Sequence, residues 1–399
     1  MKVLIVTTGF LESTLSLAKT ISSKGIDIEI ICTNSKTRRN LNVINFSQIK
    51  SLKTWITKED LRSIVNDDFY RFLSTFKIIF HFKKGNSKNP VGLIRDAIKL
   101  KKYIKTQKAD IIHFVEGSIF LGIVASMLPK NKIVFSLHEV TNYHGITPLR
   151  QKILLNFIIR NSLPVIVHSE ISRNRFINYA NRKNRSGLIP VYLIYFGLFE
   201  VYKFFENHKV DISFRLDNPN SKVLLFFGRI TPSKGLNVLL SAFKLLESEY
   251  ENIHLIVAGN GYIDYDYTGI KNLSIINRPI SNEEIVYLMK TSYAVICPYL
   301  SASQSGIPMT SYLFGKPIIA TSVGAFSEVI IDMKTGILIS PNDINALKNA
   351  IVTLISDQQL YKKMTSEIEV LYSKDRFNWD IIAEQTISVY SKALAKHHG

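Results

Sequence analysis

Cysteine is nearly absent from this 399-residue chain: Cys32 and Cys297 are the whole complement, each inside an apolar, β-branched run and neither beside a second ligand. That scarcity excludes a disulfide framework and predicts a reducing, cytoplasmic setting. Long apolar runs are lacking too. The stretch after Met1-Lys2 gives way to Thr7-Thr8-Gly9, too short for a signal-peptide core. The longest nearly uncharged segment, residues 117–129, falls well short of the ~20 residues that span a bilayer. Acidic residues are scarce in one half only. Residues 1–200 hold 13 Asp and Glu against 31 Lys and Arg, whereas residues 201–399 hold 19 of each, so the whole net charge of +18 belongs to the first half. Such asymmetry predicts an anionic partner for that half: a membrane surface, a phosphorylated substrate or nucleic acid. No nucleic-acid-binding module is recognisable, which places nucleic acid last among them.

What is present is the make-up of a folded α/β protein. Hydrophobic residues form 46% and charged residues 21% of the chain, the balance of a globular protein rather than a disordered one. Short β-branched runs at 2–6, 26–31, 111–115, 133–137, 165–167 and 192–195 alternate with amphipathic stretches at 11–24, 91–108 and 149–160. The pattern resumes with runs at 223–227, 253–257, 273–276, 294–297 and 317–320 and helical stretches at 236–248, 282–290 and 344–355. Strands alternating with helices predict doubly wound parallel sheets. The polar segment 201–221 divides a first domain, residues 1–200, from a second, 222–375, and a closing helix occupies 376–399. Open sheets of this kind place ligands at the carboxyl ends of their strands.

Chemistry concentrates where the first strand of the second half ends, in Phe227-Gly228-Arg229-Ile230-Thr231-Pro232-Ser233-Lys234-Gly235. A guanidinium fork and an ammonium bracketing a glycine turn, just before a helix, suit a diphosphate. Further ordered landmarks follow: Leu239 and Ala242, the turn Ala258-Gly259-Asn260-Gly261, the run Gly315-Lys316-Pro317, and Glu328, Gly336 and Pro341. Together these make the second half similar to the nucleotide-binding domain of family 4 retaining glycosyltransferases. The first half resembles that family more loosely, through Gly9 after the first strand, Asp110-Ile111-Ile112-His113, and Leu137-His138-Glu139. Phe377-Asn378-Trp379-Asp380 resembles the start of the family's closing helix, which braces the first domain.

The resemblance implies a GT-B architecture, two Rossmann-like doubly wound domains facing a cleft, that moves a sugar from a nucleotide-diphosphate donor with retention of configuration. It implies acceptor binding in the first domain, donor binding in the second, and no cofactor or metal beyond the donor. Catalysis is assigned to His138, Arg229 and Lys234. Donor binding falls to Gly9, Arg229, Lys234, Gly259, Gly261, Ile280, Ser305, Gly306, Ile307 and Thr310. His113 is assigned a structural or cleft-lining place.

Three departures stand out. The family's paired glutamates fall at Ala302 and Thr310, neither acidic, so donor hydroxyls lose their usual acceptors. In their place Ser305 is expected to cap a helix whose free amides hold the diphosphate. Phe196 stands where the family often has histidine. Asp264-Tyr265-Asp266 looks like a metal motif of another architecture, and it is read here as an ordinary loop. The rivals are a silent subunit that positions a partner transferase and a nucleotide-sugar epimerase. Finally, residues 71–108 carry eleven basic side chains against one acid, interleaved with Phe72, Phe76, Ile78, Ile79, Phe80 and Phe82. Basic and aromatic residues so mixed predict peripheral attachment to an anionic membrane at its inner face, with a lipid-linked or otherwise anionic acceptor, through Lys83, Lys84 and Lys88.

Overall fold

The computed structural model describes all residues except 38, 42, 50–51, 86–88, 141–146, 184–188, 209, 211, 213–217 and 396–399. Lys88 therefore lies outside the described residues. The chain forms two compact units, Met1–Phe204 with the segment from Arg376 onward, and Phe205–Asp375. The division falls inside the polar segment 201–221.

In the first unit the strands are β1 (Lys2–Thr7), β2 (Asp27–Ser35), β3 (Trp55–Thr57), β4 (Lys77–Lys83), β5 (Ile111–Val115), β6 (Ile133–Leu137), β7 (Val165–Val167) and β8 (Val191–Leu193). They lie in the order β3-β4-β2-β1-β5-β6-β7-β8, parallel except for β3 against β4. The second unit holds β9 (Lys222–Phe227), β10 (Ile253–Ala258), β11 (Leu273–Ile276), β12 (Ala294–Cys297), β13 (Ile318–Thr321) and β14 (Gly336–Ile339), in the order β11-β10-β9-β12-β13-β14. Both sheets reverse their winding beside the first strand, between β1 and β5 and between β9 and β12. In open α/β sheets such switch points are where ligands bind.

Strand β4 corrects the membrane expectation. Phe72, Phe76, Ile78, Phe80 and Phe82 are all buried, at 9% exposure or less, so these apolar groups belong to the core and are closed to lipid. Paired with β2 on one side and β3 on the other, β4 is an internal strand covered on both faces. Its flanking cations disguise that burial in the sequence. Lys77 pairs with the buried carboxylate of Glu29 at 3.0 Å, and Lys83 lays its ammonium 4.4 Å from the centroid of the Phe120 ring.

The helix that follows, Pro90–Thr106, keeps a basic outer face. Asn89 caps it by accepting the Gly92 amide at 2.9 Å, and Pro90 fits the first turn, where no N–H is needed. Leu93, Ala97, Leu100 and Ile104 recur at helical spacing and face the core. Val91, Ile94, Arg95, Ile98, Lys99, Lys102 and Lys105 are exposed on the opposite side, and the one acid, Asp96, is buried. Its carboxylate accepts the amides of Lys84 and Gly85 at 2.7 and 2.8 Å.

The last helix, Trp379–Ala395, returns to the first unit. Trp379 Nε1 donates to the Leu198 carbonyl at 2.8 Å, and a side chain at Gly197 would strike the indole. Tyr390 OH lies 2.8 Å from His113 Nδ1, whose partner nitrogen lies 2.7 Å from Ser136 Oγ. His113 is thus a satisfied core residue that ties this helix to β5 and β6.

Candidate active site

In the second unit, three loops at the carboxyl edge of the sheet, those after β9, β10 and β12, interlock. Gly228 adopts φ +123°, and its amide donates to the Ala258 carbonyl at 3.0 Å, which binds the end of β9 to that of β10. A Cβ at Gly259 would lie 1.8 Å from the Gly228 carbonyl oxygen, and one at Gly261 would lie 2.0 Å from that of Ile230. These two glycines are required first by backbone meeting backbone. The Pro232–Lys234 turn is held likewise: Leu300 donates to the Ser233 carbonyl at 2.9 Å, and a Cβ at Gly235 would sit 1.9 Å from the Pro298 carbonyl oxygen.

This scaffold fixes the cations. Arg229 is exposed and its guanidinium has no partner among the described residues, so its fork stays available to an anion. Lys234 is half-buried, with its ammonium 3.6 Å from the centroid of the Tyr299 ring. Tyr299 is itself buried, with Ser305 and Cys297 beside its hydroxyl, and burial pushes its pKa well above the usual phenol value. Lys234, Tyr299 and Ser305 therefore form one cluster that joins the β9 loop to the Ser305-Gly306 loop. Tyr299 escapes sequence reading because it ends an apolar strand and looks like core.

The helix Ile307–Leu313 departs from expectation at its start. Its N-cap is Gly306 rather than Ser305, and the Ser305 hydroxyl accepts the Ile307 amide at 3.3 Å. Pro308 has no amide to give, so this turn presents fewer free N–H groups than the sequence pattern promises. Thr310 is 4% exposed and turns its hydroxyl to the Gly306 carbonyl at 3.3 Å. Ile280 is half-buried in the loop after β11, one strand beyond β10 along the same edge. Asp266 accepts the Thr268 amide at 3.0 Å, an ordinary turn.

In the first unit the carboxyl ends of β1, β6 and β7 bring a column of rings together. His138 is 3% exposed and lies between Phe10, stacked 3.7 Å away, and Phe196, 5.0 Å away. Phe196 also stacks on His168 at 3.9 Å. Neither nitrogen of His138 has a hydrogen-bond partner among the described residues. Phe10, next to Gly9, holds φ +53°, which is strained for a bulky residue, and keeps 38% of its surface exposed. Lys83 and Lys84 lie elsewhere, at the end of β4.

Burial holds these histidines neutral. It lowers His113 to about 3, His81 and His168 to about 4, and His138 well below its ordinary value. Above pH 6.5 folded and unfolded chains are both neutral at these sites and no stability is lost. As pH falls from 6.5 towards 4 only the unfolded chain takes up the protons, so stability drains away through that window. The fully buried His81 and His113 each contribute on the order of 3 kcal/mol to the loss. Thermal melting of the chain is expected to fall progressively below pH 6.5. His138→Phe, which removes one such group, is expected to reduce the fall; a melting temperature flat down to pH 4.5 would contradict this account.

Residues 209–369, which lie within the second unit, match the family model described as Glycosyl transferases group 1. Over 323 residues the chain is 27% identical to an uncharacterised glycosyltransferase of Methanocaldococcus jannaschii, covering 78% of this chain and 83% of the relative. Over 199 residues it is 27% identical to D-inositol 3-phosphate glycosyltransferase of Corynebacterium glutamicum, covering 45% of this chain and 47% of that one. Anabaena HepE, solved in complex with UDP-glucose, shares the fold at a TM-score of 0.64 and 17% identity, over 98% of this chain and all of that one. The fold is α/β of the GT-B class, with two parallel-sheet units.

Proposed function

We propose that the protein transfers a sugar from a nucleotide-diphosphate donor to an acceptor, with the second unit gripping the diphosphate. The observation that carries this reading is the Lys234–Tyr299–Ser305 cluster with the exposed Arg229 on the same loop after β9, a loop locked in place by backbone contacts. The UDP-glucose bound by HepE supports a nucleotide-sugar donor. In this reading Arg229 and Lys234 neutralise the charge that develops on the departing diphosphate. Their two charges stand in for a metal, so the reaction proceeds without one and with no other cofactor. The resemblance to retaining transferases supports retention of configuration. His138, kept neutral, serves the sugar as a hydrogen-bonding imidazole rather than as a preformed acid.

Calorimetry with uridine, guanosine and adenosine diphosphates, followed by mass spectrometry of products from a panel of nucleotide sugars, is the test. Micromolar binding to at least one diphosphate and metal-independent turnover in EDTA are expected. Binding without turnover would favour a subunit that positions a partner transferase, and absence of binding would overturn the reading.

Peripheral attachment to an anionic membrane is a further part of the proposal, now carried by the helix Pro90–Thr106 alone. No helix among the described residues is long and apolar enough to cross a membrane. The exposed Val91, Ile94 and Ile98 with Arg95, Lys99, Lys102 and Lys105 form an amphipathic face suited to an interface. Each cation near such a surface contributes about 1 kcal/mol, screened by salt. Vesicle co-sedimentation is expected to show binding to anionic but not neutral lipid, lost in Ile94→Glu/Ile98→Glu; equal binding to both lipids would refute it.

A further inference from the structure

Between the carboxyl ends of β4 and β5 lies a cavity of about 410 Å³, lined by Lys83, Leu93, Gly117, Ser118, Ile119, Phe120, Arg150 and Gln151. It is remote in sequence from every donor-binding residue and belongs wholly to the first unit. We propose that this cavity holds a phosphoryl group of the acceptor, gripped by Lys83 and Arg150. The proposal rests on the glycosyltransferase reading and names the class of acceptor that the first unit takes.

The argument begins with Lys83. Its ammonium is drawn off the surface onto the face of Phe120, at 4.4 Å from the ring centroid, and makes no ion pair with a described residue. Desolvation pushes its pKa down, which marks a cation held where water solvates it poorly. Asp96, the carboxylate that most opposes this, is already engaged by the amides of Lys84 and Gly85. Glu116, the other, accepts the hydroxyl of Thr8. A half-buried cation facing a cavity is stabilised by an anion placed there.

Arg150 supplies a second cation across the cavity. It is exposed and unpaired among the described residues, while its neighbour Gln151 is tethered by its amide to the Glu139 carbonyl at 2.8 Å. Between the two cations begins the helix Ile119–Ser126. Ser118 caps it by accepting the Leu121 amide at 3.2 Å, so the amides of Ile119 and Phe120 at the cavity wall remain for a ligand. Gly117 lies in the same wall, where a Cβ would lie 2.6 Å from a Leu154 methyl and 3.0 Å from one of Leu137. One ammonium, one guanidinium fork and a helix start around a space of this size are the recognition set for a phosphoryl oxygen cluster with room for the group that carries it.

The experiment titrates the full chain with inorganic phosphate while a nucleoside diphosphate saturates the second unit. Phosphate is expected to shift the amide resonances of residues 117–120, and its affinity is expected to fall at least tenfold in Lys83→Met and in Arg150→Gln. Nucleoside diphosphate binding is expected to stay unchanged in both. Lys83→Met keeps the stem packed on Phe120, and Arg150 is exposed, so its variant reports even if the first were to misfold. In a second arm, phosphatidylglycerol vesicles compete with phosphate if the group comes from a lipid headgroup, whereas glycerol phosphate alone competes if it is soluble. Absence of those shifts in the wild type, or equal phosphate binding in the Lys83→Met/Arg150→Gln double variant, overturns the proposal. Failure of the wild type to bind any nucleoside diphosphate overturns the transferase reading instead, and the phosphate titration still tests the cavity.

Discussion

Arg229→Ala is expected to lower transfer about a hundredfold, and Lys234→Ala to do the same, with the fold of the second unit intact. Both side chains stand at loop positions outside the packed core, Arg229 exposed and Lys234 resting on Tyr299. Removing a charge-assisted contact from a developing negative charge costs roughly 3 kcal/mol of barrier, about two powers of ten in rate. Because the two cations serve one leaving group in the proposed reading, the double variant is expected to lose less than the product of the single losses. Lys234→Met separates charge from packing, since it retains an apolar stem over Tyr299 and is expected to be as inactive as Lys234→Ala. Circular dichroism and melting curves establish the fold. Near-wild-type kcat/KM in a folded Arg229→Ala protein would remove the diphosphate assignment.

The second large effect is on stability. Gly259→Ala is expected to destabilise the second unit by about 4 kcal/mol or more, because two penalties coincide. The backbone there holds φ +150°, which side chains rarely adopt, and the new methyl would press to 1.8 Å from the Gly228 carbonyl oxygen. Backbone cannot swing aside as a side chain would, so the β9 and β10 loops must separate. Gly269→Ala is the matched control. Its φ of +79° is also left-handed, but nothing lies within 4 Å of the added carbon, so only about 1 kcal/mol of strain is expected. Thermal melting of both variants is the measurement, and comparable melting temperatures would show that the two loops are not held by backbone contact.

Much of the fold is legible in the sequence alone. Strands β5, β6 and β7 announce themselves as β-branched runs between polar turns, and the helix Leu149–Arg160 by its 3.6-residue period. Strand β4 hid because its period-two pattern is bounded by Lys77, Lys83 and Lys84, and a buried strand with charged ends resembles an amphipathic surface until its pairing is known. Strand β14 escapes sequence reading through its brevity, four residues after a turn. At the site, the spacing of Arg229 and Lys234 was readable, but the reason for Gly259 and Gly261 was not. A glycine needed for close approach to a ligand and one needed for close approach to another loop look identical in sequence. The cap falls on Gly306, one residue after the Ser305 that the sequence pattern suggests, because a hydroxyl so near a helix start can bond from either position.

The ring column around His138 has a consequence for fidelity. An imidazole left dry, with both nitrogens unbonded, forgoes about 1–3 kcal/mol of hydrogen bonding at each nitrogen that only an arriving polar group can restore. Phe10 covers one face of the ring and Phe196 the other, so stray water finds little purchase beside it. For a sugar transferase the competing waste reaction is hydrolysis of the donor. If His138 faces the sugar as proposed above, a hydrophobic sleeve at this position biases the contest towards transfer, since the ring yields its hydrogen bonds only to a group better bound than a water molecule.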